Sequence, residues 1–140
     1  MPKLKALFYS AGTVQYFARP FLSCGVKIFS AYAANAVPVT EYTFAQITLA
    51  AKGYFQAAKN YRLLPIYSLA FANSSTGIYK CKVGLAGLGA IGQAVAEKLK
   101  NLDVEVLAFD PFVSPERVKE LNVKLVDLET LFSECDIISN

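Results

Sequence analysis

Six consecutive residues, Gly87-Leu88-Gly89-Ala90-Ile91-Gly92, carry the spacing G-x-G-x-x-G. Such a turn brings backbone N–H groups against a phosphate. Alone the hexamer says little, because glycine-rich turns are common. Its surroundings give it weight. It follows the apolar run Val83-Gly84-Leu85-Ala86 and opens a segment in which Ile91, Ala94, Val95 and Leu99 share one helical face. Each glycine then has a separate role. Gly87 permits the tight turn, Gly89 lets a pyrophosphate approach the backbone, and Gly92 lets the helix pack closely on the strand. The N–H groups near Ala90 and Ile91 would meet the phosphate charge at the positive end of the helix. A second run, Val104 to Phe109, ends in Asp110, eighteen residues after Gly92. A carboxylate there accepts hydrogen bonds from the adenosine ribose diol and repels a 2′-phosphate. The expected cofactor contacts are therefore Gly87, Gly89, Ala90, Ile91, Gly92 and Asp110, and the expected cofactor is NAD. The nearest cations, Arg117 and Lys119, are expected to be solvated surface charges.

Positioning these residues requires alternating strands and helices. The spacing predicts strands at 81–86, 104–109 and 123–126, with another beginning at 137–139. Helices are predicted over 90–100, 115–121 and 128–134. Short connections between them imply βαβ units and a parallel sheet. Upstream, 4–9 and 26–31 read as strands flanking a weak helix at 13–23, and Pro38 marks residues 33–38 as an extended connector. A long helix follows from Val39, with Thr40 as its N-cap, Glu41 at its positive end and Lys59 and Arg62 at its negative end. Phe44, Ile47, Ala51, Tyr54, Phe55 and Ala58 form its apolar stripe, and Gly53 is tolerated inside it at a cost of about 1 kcal/mol. Residues 63–79, with Pro65, Asn73-Ser74-Ser75 and Gly77, read as loop.

Composition narrows the chemistry. The 140 residues are 54% hydrophobic and 18% charged, with a mean hydropathy of +0.36, which argues against disorder. No apolar run reaches the roughly 20 residues of a membrane span. A net charge of +3, scattered along the chain, argues against a nucleic-acid surface. Histidine is absent, which removes any mechanism that needs a histidine of this chain as acid, base or metal ligand. Cys24, Cys81 and Cys135 match neither a metal pattern nor a disulfide framework, so no metal site and a cytoplasmic location are expected. Lys3 and Lys5 precede an apolar stretch as in a signal peptide, but Gly12, Thr13 and Gln15 interrupt it.

The order of four segments is specific. The run from Val83 to Asp110, with Val37-Pro38-Val39-Thr40-Glu41-Tyr42-Thr43 upstream, resembles the D-isomer-specific 2-hydroxyacid dehydrogenase family. So do residues 4–14, similar to the family's segment just before its hinge, and Cys135-Asp136-Ile137-Ile138-Ser139, similar to its fourth cofactor-domain strand. The resemblance implies an α/β fold: a Rossmann-type parallel sheet, its first mononucleotide-binding half, preceded by a remnant of the substrate domain. Residues 1–38 would be that remnant and the hinge; residues 39–140 would be the first half of the NAD-binding domain. The implied chemistry is hydride transfer between NAD and a D-2-hydroxy or 2-oxo acid, the small-molecule partner of the intact enzyme, and the resemblance allows a homodimer through the cofactor domain. The loop Ala11-Gly12-Thr13 would offer N–H groups to the substrate carboxylate, though Gly12 suits a plain turn equally.

The family's catalytic Arg, Glu and His all lie beyond the strand reached at Asn140, so no catalytic residue is assigned. The chain is expected to be a fragment, inactive alone, whose fourth strand, normally internal, is left as an edge prone to association. A non-catalytic NAD-sensing module of the same fold is the alternative.

Overall fold

The computed structural model describes residues 3–61, 65–75 and 77–140. Arg62, expected near a helix end, lies outside them, as do Leu63, Leu64 and Thr76 of the expected loop. The chain divides into two compact units, Met1–Val39 and Thr40–Asn140.

In the first unit, β1 (Ala6–Tyr9) and β2 (Lys27–Ser30) pair in parallel, joined through α1 (Gln15–Ser23). Val26 and Ala18 are buried there, and the Tyr9 and Phe17 rings meet edge to face at 4.9 Å. Phe8 and Phe29 stack at 5.0 Å but stay 79% and 49% exposed. Residues 33–38, expected as an extended connector, are helical instead: α2 runs Tyr32–Ala51 with Pro38 inside it. Ala36 and Thr40 on this helix are buried, and that packing outweighs the local bias a proline imposes on its predecessor. Thr40 is thus a buried mid-helix residue rather than an N-cap.

The expected long helix also ends early. Gly53 adopts φ +68°, a left-handed conformation that glycine reaches at no steric cost. Its N–H donates to the Ala50 carbonyl at 2.9 Å, closing α2, and α3 (Tyr54–Tyr61) starts afresh. The apolar stripe is therefore split between two helices. Ile47 and Phe44 reach the core, whereas Tyr54 and Phe55 are exposed. Part of the expected loop is a helix as well, α4 (Pro65–Ser74), with Pro65 at the first helical position, where its missing N–H costs nothing. Ser68 fastens it by donating to the Ala57 carbonyl at 2.9 Å.

From Lys82 onward the expected elements appear: β3 (Lys82–Ala86), α5 (Ala90–Leu99), β4 (Glu105–Phe109), α6 (Pro115–Leu121), β5 (Lys124–Leu125), α7 (Leu128–Glu134) and β6 (Ile137–Ser139). The sheet is parallel throughout, in the order β5-β4-β3-β6. This is the 3-2-1-4 order of the first half of a Rossmann sheet, and among the described residues β6 stands at its edge.

Strand alternation explains why β3 and β4 are apolar on both sides. Val83, Leu85, Val106 and Ala108 share one core with Val95 and Leu99 of α5, Leu121 of α6 and Ile47 of α2. Gly84 and Leu107, paired in register, face the other way, where α7 lies. A β-carbon on Gly84 would stand 2.9 Å from Cys135 Sγ and 3.1 Å from Leu131 Cδ1, so this glycine makes room for α7. Helices on both faces give the continuous hydrophobic strands seen in buried parallel sheets, and with them the high overall hydropathy. Among the described residues, no helix is long and apolar enough to cross a membrane.

Candidate functional site

The glycine loop sits at the carboxyl end of β3, beside the carboxyl end of β4. Gly87 has φ +114°, a conformation that side chains oppose, and its N–H donates to the Phe109 carbonyl at 2.8 Å. The turn is thereby stitched to the neighbouring strand. Gly92 is required for a different reason. A β-carbon there would collide with the Gly87 carbonyl oxygen, a backbone atom that cannot swing away. The close approach that this glycine permits is thus of helix to turn rather than of helix to strand. Gly89 is under neither constraint. It has φ −69° and ψ −166°, which any residue can adopt, and open space surrounds the place of its missing side chain. Glycine at 89 therefore keeps space free outside the fold, as a loop built to admit a ligand requires.

The helix start is prepared in the same sense. Among the described residues no side chain caps α5, whereas Ser114 caps α6 and Asp127 caps α7, accepting from the N–H groups of Arg117 and Thr130. The first-turn N–H groups of α5, at Ala90 and Ile91, have no acceptor within the helix and lie at its positive end. Ala90 and Ile91 are both exposed. Ile91, expected on the apolar face, lies at the mouth of the loop, and Ala96 takes a core place instead.

Asp110 is joined to this loop. Its Oδ2 accepts from the Leu88 N–H at 2.7 Å, and Oδ1 accepts from the N–H groups of Phe112 and Val113 at 2.7 and 2.9 Å. The bond from Leu88, then that from Phe112, hold its pKa below the ordinary carboxylate value. The carboxylate is therefore ionised at neutral pH. Three donors do not exhaust the roughly four lone-pair sites of a carboxylate, so it can also receive a hydroxyl.

Arg117 departs from expectation. Its Nε donates to Gln93 Oε1 at 2.9 Å, its Nη1 to Glu120 Oε2 at 2.8 Å, and Nη2 stands 3.6 Å from Glu97 Oε1. It is a partnered side chain linking α6 to α5, engaged with two carboxylates. Gln93 in turn donates from Nε2 to the Leu88 carbonyl at 2.8 Å. Neither Gln93 nor Leu88 stood out in the sequence. The motif spacing constrains backbone shape and is silent about the side chain that follows the third glycine.

Ala11, Gly12 and Thr13 belong to the first unit. The Ser30 hydroxyl lies 3.0 Å from the Ala11 carbonyl and 2.6 Å from that of Gly12. A β-carbon on Gly12 would make only ordinary contact, 3.5 Å from Asn35 Nδ2, so no steric demand fixes glycine there. Among the described residues, no group of three or more potential ligands is placed to hold a metal ion.

The chain is also similar to known proteins. Residues 44–140 match the family model described as D-isomer specific 2-hydroxyacid dehydrogenase, NAD binding domain. The chain is 33% identical over 115 residues to D-3-phosphoglycerate dehydrogenase of Synechocystis sp., covering 82% of this chain and 20% of that protein. It is 47% identical over 62 residues to D-lactate dehydrogenase of Escherichia coli, covering 44% of this chain and 18% of that protein. The fold superposes on D-mandelate dehydrogenase of Rhodotorula graminis with a TM-score of 0.81 at 20% identity, over 99% of this chain and 44% of that one. The chain thus spans about a fifth of the length of the curated relatives it matches.

Proposed function

The chain belongs to the D-isomer specific 2-hydroxyacid dehydrogenase family through its NAD-binding domain, and we propose that it supplies the adenosine- and pyrophosphate-binding part of an enzyme moving hydride between NAD and a D-2-hydroxy or 2-oxo acid. The observation that carries this is the pairing of Gly89 and α5: a glycine whose β-carbon would meet nothing among the described residues, leading into a helix end that none of their side chains caps. The pyrophosphate would lie over Gly89 and accept from the N–H groups of Ala90 and Ile91. The ribose hydroxyls would donate to Asp110. NAD supplies the hydride chemistry at its nicotinamide; the residues in hand bind and orient its other half.

NAD is preferred to NADP on electrostatic grounds. An ionised Asp110 opposes a 2′-phosphate, and the nearby guanidinium of Arg117 is engaged by Glu97 and Glu120. Residues 1–38 are proposed to belong to the substrate domain and residues 39–140 to the cofactor domain, with Ala11, Gly12 and Thr13 near the substrate carboxylate. The sequence has no histidine, and the family uses one as its acid/base, so these 140 residues are proposed to bind the cofactor without turning over substrate. A cytoplasmic setting and a homodimer through the cofactor domain are part of the same proposal.

Gly89→Ala tests it. A methyl group in that open space should leave the melting temperature unchanged and weaken NADH binding at least tenfold, the equivalent of about 1.4 kcal/mol. Equal NADH affinity in the two proteins would overturn the assignment.

A further inference from the structure

The two peptide planes flanking Leu88 are each gripped by a side chain. Asp110 takes the Leu88 N–H, which belongs to the Gly87–Leu88 peptide. Gln93 takes the Leu88 carbonyl, which belongs to the Leu88–Gly89 peptide. In a trans peptide the carbonyl and the following N–H point in opposite directions. Holding the Leu88 oxygen toward Gln93 therefore directs the Gly89 N–H away from it.

The chemistry at position 93 suits this bridge. The Arg117 guanidinium can only donate and the Leu88 carbonyl can only accept. A side chain bridging them must accept at one end and donate at the other, as a carboxamide does. Arg117 also decides which way the amide faces: with Oε1 against Nε, the NH2 group must turn to Leu88. Arg117 is itself steadied by Glu97 and Glu120, so a relay runs from the acids of α5 and α6 through Arg117 and Gln93 to one peptide of the glycine loop. Leu88 anchors that peptide from beneath, its side chain 3% exposed within the core.

We propose that Gln93 is a positioning residue for the cofactor pyrophosphate, aiming the Gly89 N–H, and that Arg117 acts through it. This rests on the cofactor reading above. Gln93→Glu is the sharpest test: it keeps size and the Arg117 partner but sets one acceptor against another at Leu88. Gln93→Leu removes the bridge altogether. Both variants of the 140-residue chain should bind NADH about tenfold more weakly, the scale of leaving a part-buried carbonyl unpaired. Adenosine, which has no phosphate, should bind all three proteins alike when followed by NMR shifts. Arg117→Met should weaken NADH binding less, and should add nothing in the Gln93→Leu background. NADH affinity unchanged in both Gln93 variants overturns the inference while leaving the cofactor site standing. Equal losses for NADH and adenosine also overturn it, since they mark a merely structural role. No NADH binding by the folded wild-type chain overturns the cofactor reading itself.

Discussion

In β1–α1–β2 and in β3–α5–β4 a parallel strand pair is joined through a helix, yet the two turns between strand and helix are built oppositely. After β1, the carbonyls of Ala11 and Gly12 are drawn to the Ser30 hydroxyl, and no position demands glycine on steric grounds. After β3, Gly87 has a positive φ, Gly92 admits only a hydrogen atom, and Asp110 and Gln93 clamp the peptide planes between them. The strands differ in the same direction: β3 and β4 are buried on both faces, while β1 and β2 leave Phe8 and Phe29 exposed. A shared topology therefore does not by itself make a phosphate site. On the proposed reading, what makes one is a loop whose backbone is fixed from behind so that its N–H groups can be left open in front.

The strongest way to break this contrast is Gly92→Ala. The added methyl meets backbone, so the second turn should not tolerate it, and unfolding in denaturant should show a loss of about 3 kcal/mol. Gly12→Ala, at the corresponding turn of the first unit, should cost far less, because its β-carbon meets only the end of the Asn35 side chain. If the two substitutions proved equally costly, the difference between the loops would be illusory.

Asp110→Ala comes next. It strips an acceptor from three N–H groups and, on the proposed assignment, from the ribose, so NADH affinity should fall about 10- to 100-fold in a fluorescence titration, with a lower melting temperature. The acid dependence has a definite sign. Asp110 has its pKa lowered from 3.8 by folding, so its stabilising effect is present above that value and disappears as the pH drops below it. Asp127, Glu97 and Glu134 shift the same way. The quantity to follow is accordingly the difference in melting temperature between wild type and Asp110→Asn, which should be constant near neutrality and shrink below pH 3.8.

Ser30→Ala should be milder, destabilising the first unit by about 1 kcal/mol and leaving NADH affinity alone. The smallest effect is expected at the Lys82–Glu134 pair, 2.7 Å apart at the surface. Lys82→Met should not move the melting temperature beyond experimental error, because exposed pairs are screened by solvent.

The same contrast decides what was legible in the sequence. From Lys82 on, every element was readable, because short apolar strands separated by capped or glycine-led helices encode themselves locally. Ser114 and Asp127 stand at their helix starts as a local reading requires. The α2–α4 region was read less well. Pro38 ordinarily signals extension, but burial of Ala36 and Thr40 carries a helix through it. Gly53 looked like a tolerated interior glycine and proved a terminator. Residues 65–74 lack any helical period, since Ile66, Tyr67 and Leu69 are all exposed. At the site, the glycines and Asp110 were visible because backbone geometry restricts residue type. Gln93 and its link to Arg117 were not, because these contacts join residues 88, 93 and 117, which only folding brings together.

The central claim is that this loop receives the pyrophosphate of NAD, and titrating the folded wild-type chain with NADH by calorimetry tests it most directly. The account predicts saturable binding at one site per chain, competed by ADP-ribose and about tenfold or more weaker for NADPH, whose 2′-phosphate meets the Asp110 carboxylate. Absence of saturable binding, or equal affinity for NADH and NADPH, would contradict it.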